Sequence, residues 1–170
     1  AVQYELAFLD MPSCRFSVKI SEGELGEKGK DNVEFLISAN PGEEPKPLGK
    51  VASGGELSRI MLALKNVLHK AGGIDTLIFD EIDTGISGRT AWMVSEKMGK
   101  LSDSHQLLCI THLPQIAARA NAHLFIEKSV ENDATVTGIT MLPSPDTVAV
   151  VLSKGNPEDS AILYFIKSFA

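Results

Sequence analysis

Three short stretches of this sequence carry residue types that could do chemistry together. Ser53-Gly54-Gly55-Glu56 opens a helical pattern, Asp80-Glu81 closes an apolar run, and His112 closes a second apolar run. A helix start exposes backbone N–H groups with partial positive charge, which suits an anion such as phosphate. A carboxylate just past a buried strand can hold Mg2+, often through water, because that ion dehydrates reluctantly. Its neighbour can orient or deprotonate an attacking water. A histidine on the same edge adds a polar sensor.

Each stretch also has an ordinary explanation. Ser53 and Glu56 fit a capping box, in which each side chain satisfies a backbone donor of the first turn. Capping leaves Gly54-Gly55 unexplained, because a glycine in a helix costs on the order of 1 kcal/mol against alanine. Two in a row make sense where something must approach the backbone closely. Asp80-Glu81 alone reads as a solvated turn, and a lone histidine as an unremarkable polar residue. The loop Asp83-Thr84-Gly85-Ile86-Ser87-Gly88 reads as a turn and helix start, or as a segment placed to feel a nucleotide and a partner across it.

Placement raises the functional reading. Residues 76–79 and 107–110 are short apolar runs that read as buried strands, and residues 88–101 between them read as a helix. That is a βαβ unit with a right-handed crossover and parallel strands. Glu81 and His112 then share one sheet edge, at the carboxyl ends where open α/β sheets hold ligands. A phosphate-cradling GxxxxGK[ST] loop is absent from the 170 residues, so the segment reads as half of such a site. His69, His105 and His123 have no comparable context and receive no role; Met61, Trp92 and Met98 read as packing residues.

Around these stretches, residues 14–20 and 33–37 alternate apolar and polar, a hairpin whose charged, glycine-containing connection reads as long and mobile. Residues 40–50, with three prolines and two glycines, read as loop. Leu57, Ile60, Met61, Leu64 and Leu68 form a helical stripe that runs from Ser53 and ends at Gly72-Gly73. Pro114 opens a helix reaching about Asn121, strands follow over roughly 122–128 and 134–141, and Pro157 opens a last helix with Ile162, Phe165, Ile166 and Phe169 on one face. The organisation is a single lobe, with hairpin and loop over 1–50, the chemistry-bearing segment over 51–141 and a helical tail over 142–170.

Bulk properties fit that picture. A chain of 170 residues suits one domain or one lobe, and 44% apolar residues suffice for a core. A net charge of −6 argues against a broad basic footprint for nucleic acid, though a local patch stays open. Cys14 and Cys109 form neither a disulfide framework nor metal-ligand spacing, and a reducing cytosol is the default. No run approaches 18 apolar residues, so no membrane span is expected. The chain begins with Ala inside what reads as an element and carries no signal peptide, so the expectation is a fragment of a longer protein.

Taken together, the residues resemble the C-terminal lobe of an ATP-binding-cassette ATPase head. VASGGELSRIMLALK (51–65) is similar to its signature motif, TLIFDE (76–81) to its Walker B motif, DTGISG to its D-loop and ITH (110–112) to its switch histidine. LGKVASGGELSRIMLALK, FDEIDTGISGRTA and CITHLPQIAARA most resemble the RecN family of bacterial DNA repair proteins, itself similar to the structural-maintenance-of-chromosomes (SMC) proteins. The resemblance covers residues 33–141 well; nothing functional is carried onto the looser tail.

The resemblance implies an α/β lobe with a largely parallel sheet core, flanking helices and antiparallel strands at the edges. It implies two heads that sandwich ATP as a homodimer. Ser53, Gly54, Gly55 and Glu56 would meet the nucleotide from across the dimer, the first three at its γ-phosphate. Asp80 would support Mg2+ through water, Glu81 act as general base and His112 sense the γ-phosphate. Asp83, with Thr84 and Gly85 in the D-loop, would communicate across the interface. The phosphate loop and its lysine would lie in an N-terminal lobe of the same protein, so the isolated segment is expected to be inactive. DNA would be a partner of the full-length protein, in double-strand-break repair and recombination, in the cytoplasm at the nucleoid. Alternatives are a head of another chromosome-maintenance or recombination protein, or a nucleotide-gated dimerisation module. A stand-alone metal hydrolase lacks ligands.

Overall fold

A computed structural model describes residues 1–27, 29–51, 53–68, 73–131, 134–143 and 160–165, the last stretch by its backbone. In chain order the elements are α1 (Val2–Phe8), β1 (Arg15–Gly26), β2 (Gly29–Ser38), β3 (Lys46–Pro47), α2 (Gly54–Val67), β4 (Thr76–Phe79), α3 (Gly88–Leu101), β5 (Gln106–Thr111), α4 (Pro114–Ala117), β6 (Ala122–Glu131), β7 (Ala134–Met141) and β8 (Ser160–Phe165). They form a three-stranded sheet β1-β2-β3 and a five-stranded sheet β4-β5-β8-β6-β7.

The βαβ unit is present as expected. β4 and β5 are parallel, with Phe79 level with Cys109, so the two strands end together. Their shared helix α3 buries Ala91, Val94, Ser95, Met98 and Leu101 along one stripe. Trp92 falls beside that stripe and is half exposed, so it is not the packing residue expected; Met98 is.

The sheet is not largely parallel. Among the described pairings β4–β5 is the parallel one, while β5–β8, β8–β6 and β6–β7 are antiparallel. A further parallel strand needs a crossover connection of about a dozen residues or more. After β5 the chain instead makes the single turn α4 and a hairpin. α4 stops at Ala117 rather than near Asn121, because Arg119 and Ala120 donate to the carbonyls of Ile116 and Ala117, tight i→i−3 bonds that wind the turn down.

The tail differs most from expectation. Residues 160–165 are strand β8, inserted between β5 and β6, rather than part of a helix. Ala161-Ile162-Leu163-Tyr164-Phe165 is a short continuous apolar run, which periodicity alone cannot assign to helix or strand. Two open strand edges decided it. The rest of the proposed tail, 144–159 and 166–170, lies outside the described residues.

At the other end, the connection of the first hairpin is itself strand. β1 and β2 pair from Arg15↔Ser38 to Gly26↔Gly29, with a register shift between Glu22 and Gly26. Gly29 takes φ 99°, the left-handed turn geometry open to glycine, and Lys30 pairs with Glu22 at 3.1 Å. The expected loop 40–50 contributes the two-residue β3.

α1 was not anticipated as a helix. It buries Leu6, with Leu9 just beyond it, and packs on α2. The buried Lys97 of α3 reaches Glu5 of α1 at 2.7 Å and lies 4.3 Å from the centre of the Phe8 ring. Together they pin α1 down. The buried face of α2 is Arg59, Ile60, Leu62, Ala63 and Leu64, so the stripe is rotated from the expected one. Leu57 and Met61 line an apolar groove of about 250 Å3 with Leu77, Ile78 and Phe79 of β4, Met61 also packing against the core. α2 stops at Val67, short of Gly72-Gly73, and residues 69–72 lie outside the described set. Among the described residues no helix is long and apolar enough to cross a membrane.

Candidate functional site

Ser53 is the N-cap of α2, its hydroxyl accepting the Glu56 N–H at 3.4 Å. That satisfies one orphan donor of the first turn. The two glycines have a separate cause. A Cβ on Gly54 would run into a Glu81 carboxylate oxygen. A Cβ on Gly55 would lie 2.9 Å from the Thr84 carbonyl and 3.0 Å from that of Glu81. The close approach that the paired glycines imply is therefore made by the chain's own loop after β4.

That loop is a tight turn. Thr84 N–H donates to the Glu81 carbonyl at 3.0 Å, and Ile86 N–H to that of Asp83 at 3.3 Å. Glu81 has φ 56°, a left-handed conformation that is uncommon away from glycine and recurs at functional sites. Asp80 and Glu81 are both exposed, and Asp80 accepts the Glu81 N–H at 2.9 Å. Ser58 ties α2 to the turn by donating to the Asp80 carbonyl at 2.7 Å.

Arg59 is the main bridge between helix and loop. It is 7% exposed, and its guanidinium donates to the carbonyls of Ile82 and Thr84 at 3.3 and 3.0 Å. Burial lowers its affinity for the proton, opposed by the nearby Glu56 and Asp10 carboxylates. A guanidinium so placed stays charged at ordinary pH. On the far side, buried Asp83 accepts from His112 N–H at 2.9 Å and from the Thr111 hydroxyl, and its carboxylate lies 3.0 Å from His112 Nδ1. Leu113 N–H in turn donates to that hydroxyl at 3.0 Å.

The structure thus gathers the helix start at Ser53–Glu56, the carboxylates of Asp80 and Glu81, the turn Asp83–Gly85 and His112 at the ends of β4 and β5. Asp83 turns inward; the residues of the turn that face outward are Thr84 and Gly85, the latter at φ 74°. Reading the sequence alone missed Arg59, Ser58 and Thr111. Arg59 had one visible signal: a charge on the buried side of an amphipathic helix, one position before Ile60.

The cysteines play no part in this cluster. Burial pushes the Cys14 thiol up to about 11, with Glu56 adding to it. Cys109 is pushed further up, by burial first and the charges of Asp83 and Asp80 second. His105 and His123 are buried, His105 beside the Ser104 hydroxyl at 2.8 Å and His123 beside the Ala117 carbonyl at 3.1 Å. Among the described residues no three His, Cys, Asp or Glu side chains converge as metal ligands. Asp80, exposed just past β4, is a carboxylate that could hold Mg2+, an ion that takes most of its ligands from water and substrate phosphates.

The glycine contacts separate two effects. Gly55→Ala drives a Cβ into two backbone carbonyls, and a loss of about 1–3 kcal/mol is expected. In Gly54→Ala the obstacle is the end of one exposed side chain, which can turn away, so stability should stay within about 0.5 kcal/mol. Urea denaturation of both variants checks this; equal losses would contradict the contact geometry.

No family model matches the chain. It is 46% identical over 153 residues to the DNA repair protein RecN of Halalkalibacterium halodurans, covering 87% of this chain and 27% of that protein. It is 50% identical over 128 residues to RecN of Bacillus subtilis, covering 75% and 22%, and 52% identical over 136 residues to RecN of Treponema pallidum, covering 76% and 24%. The chain therefore spans about a quarter of the length of these curated relatives. Among solved structures, an Smc head domain with coiled coil and joint from Pyrococcus yayanosii superposes with TM-score 0.63 at 21% identity, over 90% of this chain and 28% of that one. A chain from structural work on ATP-driven dimerization and DNA-stimulated activation of SMC ATPases superposes with TM-score 0.54 at 20% identity, over 90% and 87%. These likenesses establish a shared fold.

Proposed function

The chain belongs with the RecN-type, SMC-like ATPase heads over the stretch it shares with them, and on that premise we propose that it is the C-terminal lobe of such a head. The observation that carries the proposal is the contact of Gly54 and Gly55 with Glu81 and Thr84, which joins the separate motifs into one surface. The lobe completes an ATP site with an N-terminal lobe of the same protein that holds the phosphate loop. Two heads close around ATP as a homodimer, and hydrolysis reopens them during DNA double-strand-break repair and recombination. The protein acts in the cytoplasm, at the nucleoid, with DNA as a partner of the full-length molecule.

Within each site, Glu81 accepts the proton of the attacking water. Asp80 would hold Mg2+, which when bound would supply positive charge to offset that of the phosphates. His112 contacts the γ-phosphate from the same lobe. Ser53, Gly54, Gly55 and Glu56 meet the γ-phosphate side of the nucleotide held by the other head, where α2 offers its unpaired N–H groups. For that, the Glu81 carboxylate swings off Gly54 toward its own nucleotide, a rotation about exposed side-chain bonds. Thr84 and Gly85 face the interface.

The open edge of β4 supports the missing lobe. β4 pairs with β5 alone among the described residues, and Ile78 is 67% exposed beside the apolar groove with Leu57 and Met61. An exposed apolar strand edge is a liability unless something covers it.

The segment by itself should lack turnover, since nothing in it holds the β- and γ-phosphates. Steady-state phosphate release is the test, with Glu81→Gln as background. Release above that background would sink the half-site reading; added N-terminal lobe should restore it.

A further inference from the structure

We propose that Asp83 is the positioning residue of His112, fixing its ring as the Nδ1–H tautomer and leaving Nε2 free to face the nucleotide. This deepens the ATPase reading and rests on it for the role of His112, though not for the geometry. One carboxylate oxygen of Asp83 receives two hydrogen bonds, from the Thr111 hydroxyl and from the His112 N–H at 2.9 Å, and the same oxygen lies 3.0 Å from His112 Nδ1. A carboxylate oxygen so close repels a ring-nitrogen lone pair and favours an N–H, which places the proton of the neutral ring on Nδ1. Asp83 is 4% exposed while the His112 side chain is half exposed, so the anchor is buried and the working end of the ring is open.

The anchor is itself held. Arg59 grips the carbonyls of Ile82 and Thr84, the residues on either side of Asp83. The helix that starts at Ser53 and the histidine at the end of β5 are thereby connected through three residues of one turn. A displacement of the α2 start moves the Asp83 carboxylate, and with it the His112 ring. In a head dimer this connects the nucleotide facing Ser53 to the one facing His112.

The test reads the histidine directly. With 15N-labelled histidine at a pH where imidazole is neutral, His112 Nδ1 of the wild-type protein should resonate as a protonated ring nitrogen and Nε2 as an unprotonated one. In Asp83→Asn the amide can donate to Nδ1, and the two signals should exchange character. ATP turnover should then fall roughly tenfold to a hundredfold at little-changed KM, by analogy with the partners that orient metal-bound histidines. Wild-type His112 with its proton on Nε2, or a His112 ring whose tautomer is unchanged by Asp83→Asn, would overturn the proposal. The wild-type spectrum decides even if the variant does not fold. It needs no nucleotide, so a protein without ATPase activity can still show the tautomer, and an active protein can lack it.

Discussion

Glu81→Gln should abolish ATP hydrolysis in the assembled protein while leaving ATP binding intact. The amide keeps the shape of the side chain but cannot take the water's proton, and loss of a general base costs about 10²–10⁴-fold in rate. Heads that close on ATP and cannot hydrolyse it should accumulate as dimers. Glu81 is exposed and the amide keeps its shape, so folding stability should hardly change. Size-exclusion chromatography with ATP and Mg2+ gives the readout. Only monomeric heads for this variant, with nucleotide bound, would count against Glu81 as the base.

Much of the site was legible in sequence because its parts are local. β4 ends at Phe79 and α3 spans Gly88–Leu101, both as the apolar runs and glycines indicate, and the crossover rule then brings Glu81 and His112 to one edge. The paired glycines pointed to a close approach. What approaches, the turn from Glu81 to Thr84, depends on how α2 docks against β4, and no local pattern records that.

Two of the misses share a physical cause. β8 and the turn-holding Arg59 depend on partners distant in sequence. Ile162–Phe165 is a strand because β5 and β6 present open edges to it, and the same residues would satisfy a helical stripe elsewhere. Asp83 is buried because Thr111 of β5 and His112 just after it supply the donors that hold it inward. Met61 packs against the core as expected, and with Leu57 also lines a groove beside a strand edge that has no partner among the described residues.

Ser53→Arg addresses the central claim, that the start of α2 acts on nucleotide held by another head. As a cap alone, Ser53 is worth about 1 kcal/mol, and its loss should lower the melting temperature modestly while sparing the chemistry. As a contact in trans, a bulky side chain there blocks closure, and hydrolysis fails although each head still binds ATP. The decisive measurement mixes this variant with a phosphate-loop mutant that is also inactive alone. In a two-fold dimer half the mixed molecules are heterodimers, each with one intact composite site, so about a quarter of wild-type sites should be restored. Recovered turnover on mixing is the predicted result. A mixture that forms heterodimers and hydrolyses no more ATP than either mutant would contradict the trans assignment.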